Sequence, residues 1–252
     1  MSHFALLGRH TGRSFSKSLF DLRFKGLHRY ELLSIESLTN LRQLVAEGHL
    51  SGFNVTTPFK TAVIPYLDRL TDEAAVVGAV NCVKTAPDGS LTGHNTDAEA
   101  FFQTLTPQFL ATASANSGTT ALILGTGGAA LAVASALCRA KIGYLFVSRH
   151  PDDHKTDNHS ASVISYSQAC LLVDKVSLIV NATPVGMYPD IASSPWPWPE
   201  KLSVRHLVYD LIYNPSPTRF MREAAAAGAH VADGLEMLRL QAELSWQYWG
   251  IV

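Results

Sequence analysis

Gly125-x-Gly127-x-x-Ala130 is the pattern in this chain with the clearest chemical consequence. An apolar run at residues 121–124 precedes it and an alanine-rich stretch at 131–140 follows, so the turn joins an expected buried strand to an expected helix. The first small residue permits a tight turn, the second lets a pyrophosphate approach the backbone, and the third keeps the helix close to the sheet. Open amides and the positive end of the helix dipole then favour phosphate. About twenty residues further on, where such folds inspect the adenosine ribose, the strand expected at 144–147 delivers Ser148, Arg149 and His150. An NAD site places a carboxylate there; a serine and an arginine suit a 2′-phosphate, which predicts NADP. Asp152 and Asp153 follow and would oppose a phosphate if turned inward, but Arg149 is nearer the strand end.

A second set of polar groups lies outside that segment. It comprises Ser14 and Ser16; Asn54, Thr56 and Lys60 around Pro58; Asn81 after Gly78-Ala79-Val80; Asp97 after Gly93-His94-Asn95-Thr96; Tyr213; and Gln241. Each has a plain structural explanation when taken alone. Ser14 and Ser16 fit helix caps, Asn81 a turn, Asp97 the cap of a helix at 98–105, and Lys60 an exposed surface. Together the hydroxyls, amides, ammonium and carboxylate are what a small polyhydroxy acid needs.

The elements that must position these groups read as alternating strands and helices. Strands are expected at 4–7, 28–33, 52–55, 78–83, 121–124, 144–147, 176–180 and 207–211. Helices are expected at 35–45, from Pro58 with Lys60 in the first turn, at 131–140 and at 236–249. A turn falls at Pro87-Asp88-Gly89, a small-residue surface loop at 111–120, and a stiff loop at 195–199. Such alternation predicts an α/β protein rather than a sandwich or bundle. Hydrophobic residues make up 47% of the 252, which excludes a disordered chain. The net charge of -1 supplies no basic surplus for nucleic acid, and no apolar run suits a membrane span. The N-terminus has no basic region ahead of a long apolar stretch, so no secretory signal is expected. Cys82, Cys138 and Cys170 are odd in number and scattered, predicting neither a disulfide framework nor a metal site and favouring a reducing, cytoplasmic setting.

Six ordered motifs resemble the shikimate dehydrogenase family over nearly the whole chain. They are Asn54-Val55-Thr56-x-Pro58-Phe59-Lys60, Gly78-Ala79-Val80-Asn81, Asn95-Thr96-Asp97, Gly125-x-Gly127-Gly128-Ala129, Asn181-Ala182-Thr183-x-x-Gly186-Met187 and Asp233-Gly234-x-x-Met237-Leu238-x-x-Gln241-Ala242. The resemblance implies reversible reduction of 3-dehydroshikimate to shikimate with NADPH. It implies that Ser14 and Ser16, assisted by Tyr213, hold the substrate carboxylate, and that Thr56, Lys60, Asn81, Asp97 and Gln241 bind the ring hydroxyls and the reacting oxygen. Lys60 matches the catalytic lysine, with Asp97 its partner: such a pair can deliver a proton and stabilise a developing oxyanion. Gly125, Thr126, Gly127, Gly128 and Ala129 match the pyrophosphate loop, and Ser148, Arg149 and His150 the adenosine-phosphate segment. Ala182, Thr183, Leu211 and Gly234 match positions beside the nicotinamide, and Asp72 an acidic position that contacts cofactor in some members. The chain departs from the family where Arg9-His10-Thr11 and Arg13-Ser14-Phe15-Ser16-Lys17 replace Asn-Pro-Ile and His-Ser-x-Ser-Pro, though both serines remain.

The implied architecture is two-lobed, with a cleft between the lobes. An N-terminal α/β substrate domain (1–97 plus 235–252) accompanies a Rossmann-type, doubly wound NADP domain (98–234), and the C-terminal helix returns to the first lobe. The expected partners are a small-molecule substrate only, with no nucleic acid, membrane or metal, in a monomer or homodimer. Two alternatives stand beside this reading: a quinate/shikimate dehydrogenase that also uses NAD, and a catalytically silent, ligand-sensing relative. Ser16, where quinate-preferring relatives carry the bulkier threonine, argues for shikimate. The presence of both Lys60 and Asp97 argues for turnover.

Overall fold

The computed structural model describes residues 1–105, 120–154 and 162–252. The loop expected at 111–120 lies outside them except for Thr120, which begins a strand. The chain divides into two compact units, residues 1–100 with 238–252, and residues 101–237.

The first unit is built on a six-stranded mixed sheet: β1 (His3–Gly8), β2 (Arg29–Ser34), β3 (Gly52–Val55), β4 (Arg69–Leu70), β5 (Cys82–Thr85) and β6 (Leu91–His94), in the order β2-β1-β3-β5-β6-β4. β1 runs parallel to both β2 and β3, while β5 is antiparallel to β3 and β6. Strand β1 reads as a continuous apolar run because both its faces are covered. Ala5 and Leu7 enter one core with Leu41, Phe53, Val55 and Val63, whereas Phe4 and Leu6 enter another with Phe20, Tyr30 and Trp246. The helices are α1 (Ser16–Phe24), α2 (Leu41–Glu47), α3 (Phe59–Ala62), α4 (Asp72–Val77) and α5 (Asp97–Thr104), the last belonging to this unit only through residue 100.

The last helix, Leu235–Trp249, belongs to this unit from residue 238 onward. Its end is anchored by Trp249, which stacks on Phe4 at 4.3 Å and donates its indole N–H to Val83 O at 3.0 Å. Gly52 makes this approach possible, since a Cβ there would lie 2.6 Å from the indole nitrogen. Truncating such a buried aromatic costs about 3–5 kcal/mol.

Several sequence boundaries move. The helix expected from residue 35 starts only at Leu41, because Ser37 and Thr39 hydrogen-bond to each other in a preceding turn. The strand expected at 78–83 begins at Cys82: Gly78 ends α4 in the left-handed region at φ 71°, and the Val80 N–H is used by Lys60 O. The cap explanation for Asp97 also fails, and Asp72 does not cap its own helix. Thr71 caps α4, and the Asn95 side chain accepts from the Ala98 N–H at the start of α5.

The second unit is a six-stranded, wholly parallel sheet: β7 (Thr120–Leu124), β8 (Gly143–Ser148), β9 (Val163–Ser165), β10 (Val176–Asn181), β11 (Leu207–Asp210) and β12 (His230–Ala232), in the order β12-β11-β10-β7-β8-β9. Its helices are α6 (Gly128–Arg139), α7 (Tyr166–Leu172) and α8 (Arg219–Ala226). Counted from β7 this is the doubly wound order 3-2-1-4-5-6, whose direction reverses between β7 and β10. Residues 121–124 and 178–180 are fully buried, as strands covered on both faces must be. Helix α6 starts at Gly128 rather than residue 131, so the glycine turn is shorter than its sequence suggests.

Candidate functional site

In the first unit the charged pair is assembled from two helices. Lys60, in the single turn of α3, reaches Asp97 at the start of α5 with Nζ 2.6 Å from Oδ2. The Asn81 amide donates to the other oxygen, Oδ1, at 2.8 Å. Because Asn95 has taken the capping task, the Asp97 carboxylate is left entirely to Lys60 and Asn81. The pair is shielded, with 15% of the lysine side chain and 6% of the aspartate side chain exposed. Removing one partner of such a pair strands a buried charge.

Asn81 is itself fixed by a network that sequence reasoning did not assign. Its Oδ1 accepts from the Thr96 N–H at 2.8 Å, and its amide also reaches Thr96 Oγ1 at 2.9 Å. Asn54 donates to Asn81 O and to Ser245 Oγ, and receives the Tyr30 hydroxyl at 2.8 Å. Thr96 and Ser245 both donate to Gln241 O, tying the last helix to the catalytic candidates. The signal available for Ser245 was its position one helical turn after Gln241. Burial pushes the nearby Cys82 thiol up to about 12, so it stays protonated among these groups.

Ser14 and Ser16 form a pair of half-buried hydroxyls. Ser14 Oγ accepts from the Ser16 N–H at 3.2 Å and donates to Ser16 Oγ at 3.0 Å, while Phe15 occupies the N-cap position of α1. Thr56 follows β3, where a Cβ on Gly8 would come 2.4 Å from its methyl. The Gln241 side chain donates to Leu238 O. Asp72 is exposed at the first position of α4, in the first unit, whereas every other candidate for the dinucleotide lies in the second. Tyr213 lies in the second unit after β11.

In the second unit the candidates gather at the C-terminal ends of the parallel strands. Gly125 follows β7 at φ 102°, and a Cβ there would stand 3.0 Å from Thr183 Cγ2 and 3.4 Å from Ala182 O. The turn after β7 thus touches the turn after β10, at the reversal point of the sheet. Leu211 follows β11, and Gly234 is forced to be glycine by it, since a Cβ would come within 2.0 Å of Leu211 O. Ser148 ends β8, with Arg149 and His150 exposed beyond it. Gly127 precedes α6 with no side-chain cap, and a Cβ there would meet nothing within 4 Å. Uncapped amides facing open space fit a pyrophosphate.

A parallel sheet in this order, with a glycine turn at its reversal point, defines the dinucleotide-binding α/β class. Residues 6–83 match the family model of the shikimate dehydrogenase substrate binding domain. The chain is 41% identical over 211 residues to an NADP(+) shikimate dehydrogenase of Salinibacter ruber, covering 79% of this chain and 72% of that one. It is 31% identical over 257 residues to that of Shouchella clausii, covering 98% and 92%. Among solved structures, the Thermus thermophilus shikimate 5-dehydrogenase in complex with NADP(H) and shikimate superposes with a TM-score of 0.82 at 33% identity, covering 100% of this chain and 94% of that one. The chain belongs to the shikimate dehydrogenase family.

Proposed function

We propose that this chain catalyses the reversible, NADP-dependent reduction of 3-dehydroshikimate to shikimate, in the cytoplasm. The observation that carries the reading is the Lys60–Asp97 pair, held at 2.6 Å within a buried amide and hydroxyl network. The reduction adds a hydride to the C3 carbonyl carbon and a proton to its oxygen. When bound, NADPH supplies the hydride. Lys60 Nζ donates the proton to that oxygen and stabilises its developing charge. Asp97 holds the ammonium in place, and Asn81 holds Asp97. The Ser14 and Ser16 hydroxyls donate to the substrate carboxylate; Thr56, Asn81 and Gln241 take the ring hydroxyls, and Tyr213 assists at the carboxylate.

For the dinucleotide, the turn from Gly125 through Ala129 offers backbone amides to the pyrophosphate. Ala182, Thr183, Leu211 and Gly234 provide the nicotinamide's surroundings. Arg149, with Ser148 and His150, takes the 2′-phosphate, a role supported by the exposure of Arg149 and His150 beyond the end of β8. Asp72, exposed at the first position of α4, has the weakest case. No helix among the described residues is long and apolar enough to cross a membrane.

The test is kcat/KM for shikimate and quinate, each with NADP and with NAD. The highest value is expected for shikimate with NADP. A preference for quinate with NAD would replace the proposed substrate and cofactor, and ligand binding without turnover would make the protein a silent sensor.

A further inference from the structure

Asp210 carries a buried carboxylate that the proposed chemistry leaves without a task. It ends β11 and has 0% of its surface exposed. Its Oδ1 accepts from the Asn181 amide at 2.9 Å and from the Ile212 N–H at 3.0 Å, and its Oδ2 accepts from the Thr218 hydroxyl at 2.7 Å. Thr218 in turn caps α8 through the Met221 N–H. A carboxylate placed there can only accept, so it dictates which way the Asn181 amide faces. With its NH2 committed to Asp210 and to Val185 O, Asn181 presents Oδ1 to Thr183, accepting from both its N–H at 3.0 Å and its hydroxyl at 2.7 Å. Thr183 Oγ1 then accepts from the Val185 N–H and closes the turn. The methyl of that same Thr183 is what a Cβ on Gly125 would strike. A continuous chain of hydrogen bonds therefore runs from the buried carboxylate to Thr183, whose methyl borders the glycine turn. A second, shorter branch fixes the backbone just after Leu211.

We propose that Asp210 is a positioning residue for the dinucleotide, acting through Asn181 to set Thr183 against the Gly125 turn and through the Ile212 amide to set the segment after β11. This rests on the NADP reading above and adds to it a residue that touches neither ligand. An asparagine at 210 can reproduce the arrangement, its oxygen facing Asn181 and Ile212 and its amide facing Thr218. An alanine cannot, and leaves an amide, an N–H and a hydroxyl without their acceptor.

The experiment measures dissociation constants for NADP and for shikimate on folded wild type, Asp210→Asn and Asp210→Ala, with circular dichroism confirming the fold. Asp210→Ala is expected to weaken NADP about ten-fold or more, through the stranded donors, while shikimate binding is unchanged and Asp210→Asn stays close to wild type. If the alanine chain does not fold, Asn181→Ala, which leaves the carboxylate its other two donors, carries the same expectation. NADP binding by the folded alanine variant equal to wild type, or an equal loss for both ligands, overturns the positioning role. A wild type that binds no NADP overturns the cofactor reading and the positioning role with it, and that outcome is visible before any variant is compared.

Discussion

The two units build their candidate sites from different materials. In the second, the site is mainly backbone: glycine turns and strand ends at the reversal point of a parallel sheet, with Gly125 and Gly234 there because nothing larger fits. In the first, the site is side chains: a shielded ion pair oriented by Asn81, with Thr96, Asn54 and Ser245 behind it. A backbone site recognises a ligand through shape and fixed dipoles. A side-chain site holds a proton where a reaction can use it. The contrast makes the two kinds of site separable by mutation, with turnover and substrate effects expected from Lys60, Ser14 and Ser16 and cofactor effects from Arg149 and Asp210.

The largest expected effect tests the side-chain site. Lys60→Ala removes the proton donor, and general acid catalysis is worth about 10²–10⁴-fold, so kcat should fall by that factor with KM little changed. Steady-state kinetics with shikimate checks it; undiminished kcat would reduce Lys60 to a structural partner of Asp97.

The next concerns the second unit's stability. Burial pushes the Asp210 carboxyl up to about 6 from 3.8, against the opposing pull of Thr218, Ile212 and Asn181, with Asp233 adding to the rise. Since the folded value is the higher one, the resulting stabilisation is complete below 3.8 and is lost as pH rises through about 6. The full span is about 3 kcal/mol. Urea titrations should show wild type losing that much relative to Asp210→Asn between acid and neutral pH. A constant difference would mean the carboxyl ionises as it does in water.

Smaller effects complete the contrast. Ser14→Ala or Ser16→Ala should each weaken shikimate roughly ten-fold or more through loss of a charge-assisted hydrogen bond, leaving NADP unaffected in isothermal titration. An equal loss for NADP would show that the serines shape the chain and do not read the substrate. Arg149→Ala should lower the ratio of kcat/KM for NADP over NAD at least ten-fold, about 1.4 kcal/mol. An unchanged ratio would assign the phosphate to another group.

The second unit was the more legible in sequence because its signals are local. A buried strand, a glycine turn and a helix follow one another within residues 120–139, and the parallel order follows from repeating that unit. The first unit's sheet order was not legible, since β4 and β6 are short and their pairing joins segments far apart in sequence. Lys60 and Asp97 stood out by type, but their contact spans 37 residues and depends on Asn95 having taken over the helix cap. Ser245 and Asp210 lie outside every motif, and Asn54 and Asn181 stand in motifs that do not reveal their partners. A buried polar residue looks like any other until its partners, up to 191 positions away, are known.

The reduction itself tests the account most directly: purified protein is mixed with 3-dehydroshikimate and NADPH, and both NADPH loss and shikimate formation are followed. The account predicts one shikimate formed for each NADPH consumed, with the rate collapsing in Lys60→Ala. Binding of both ligands with no NADPH consumed by the wild-type protein would contradict it.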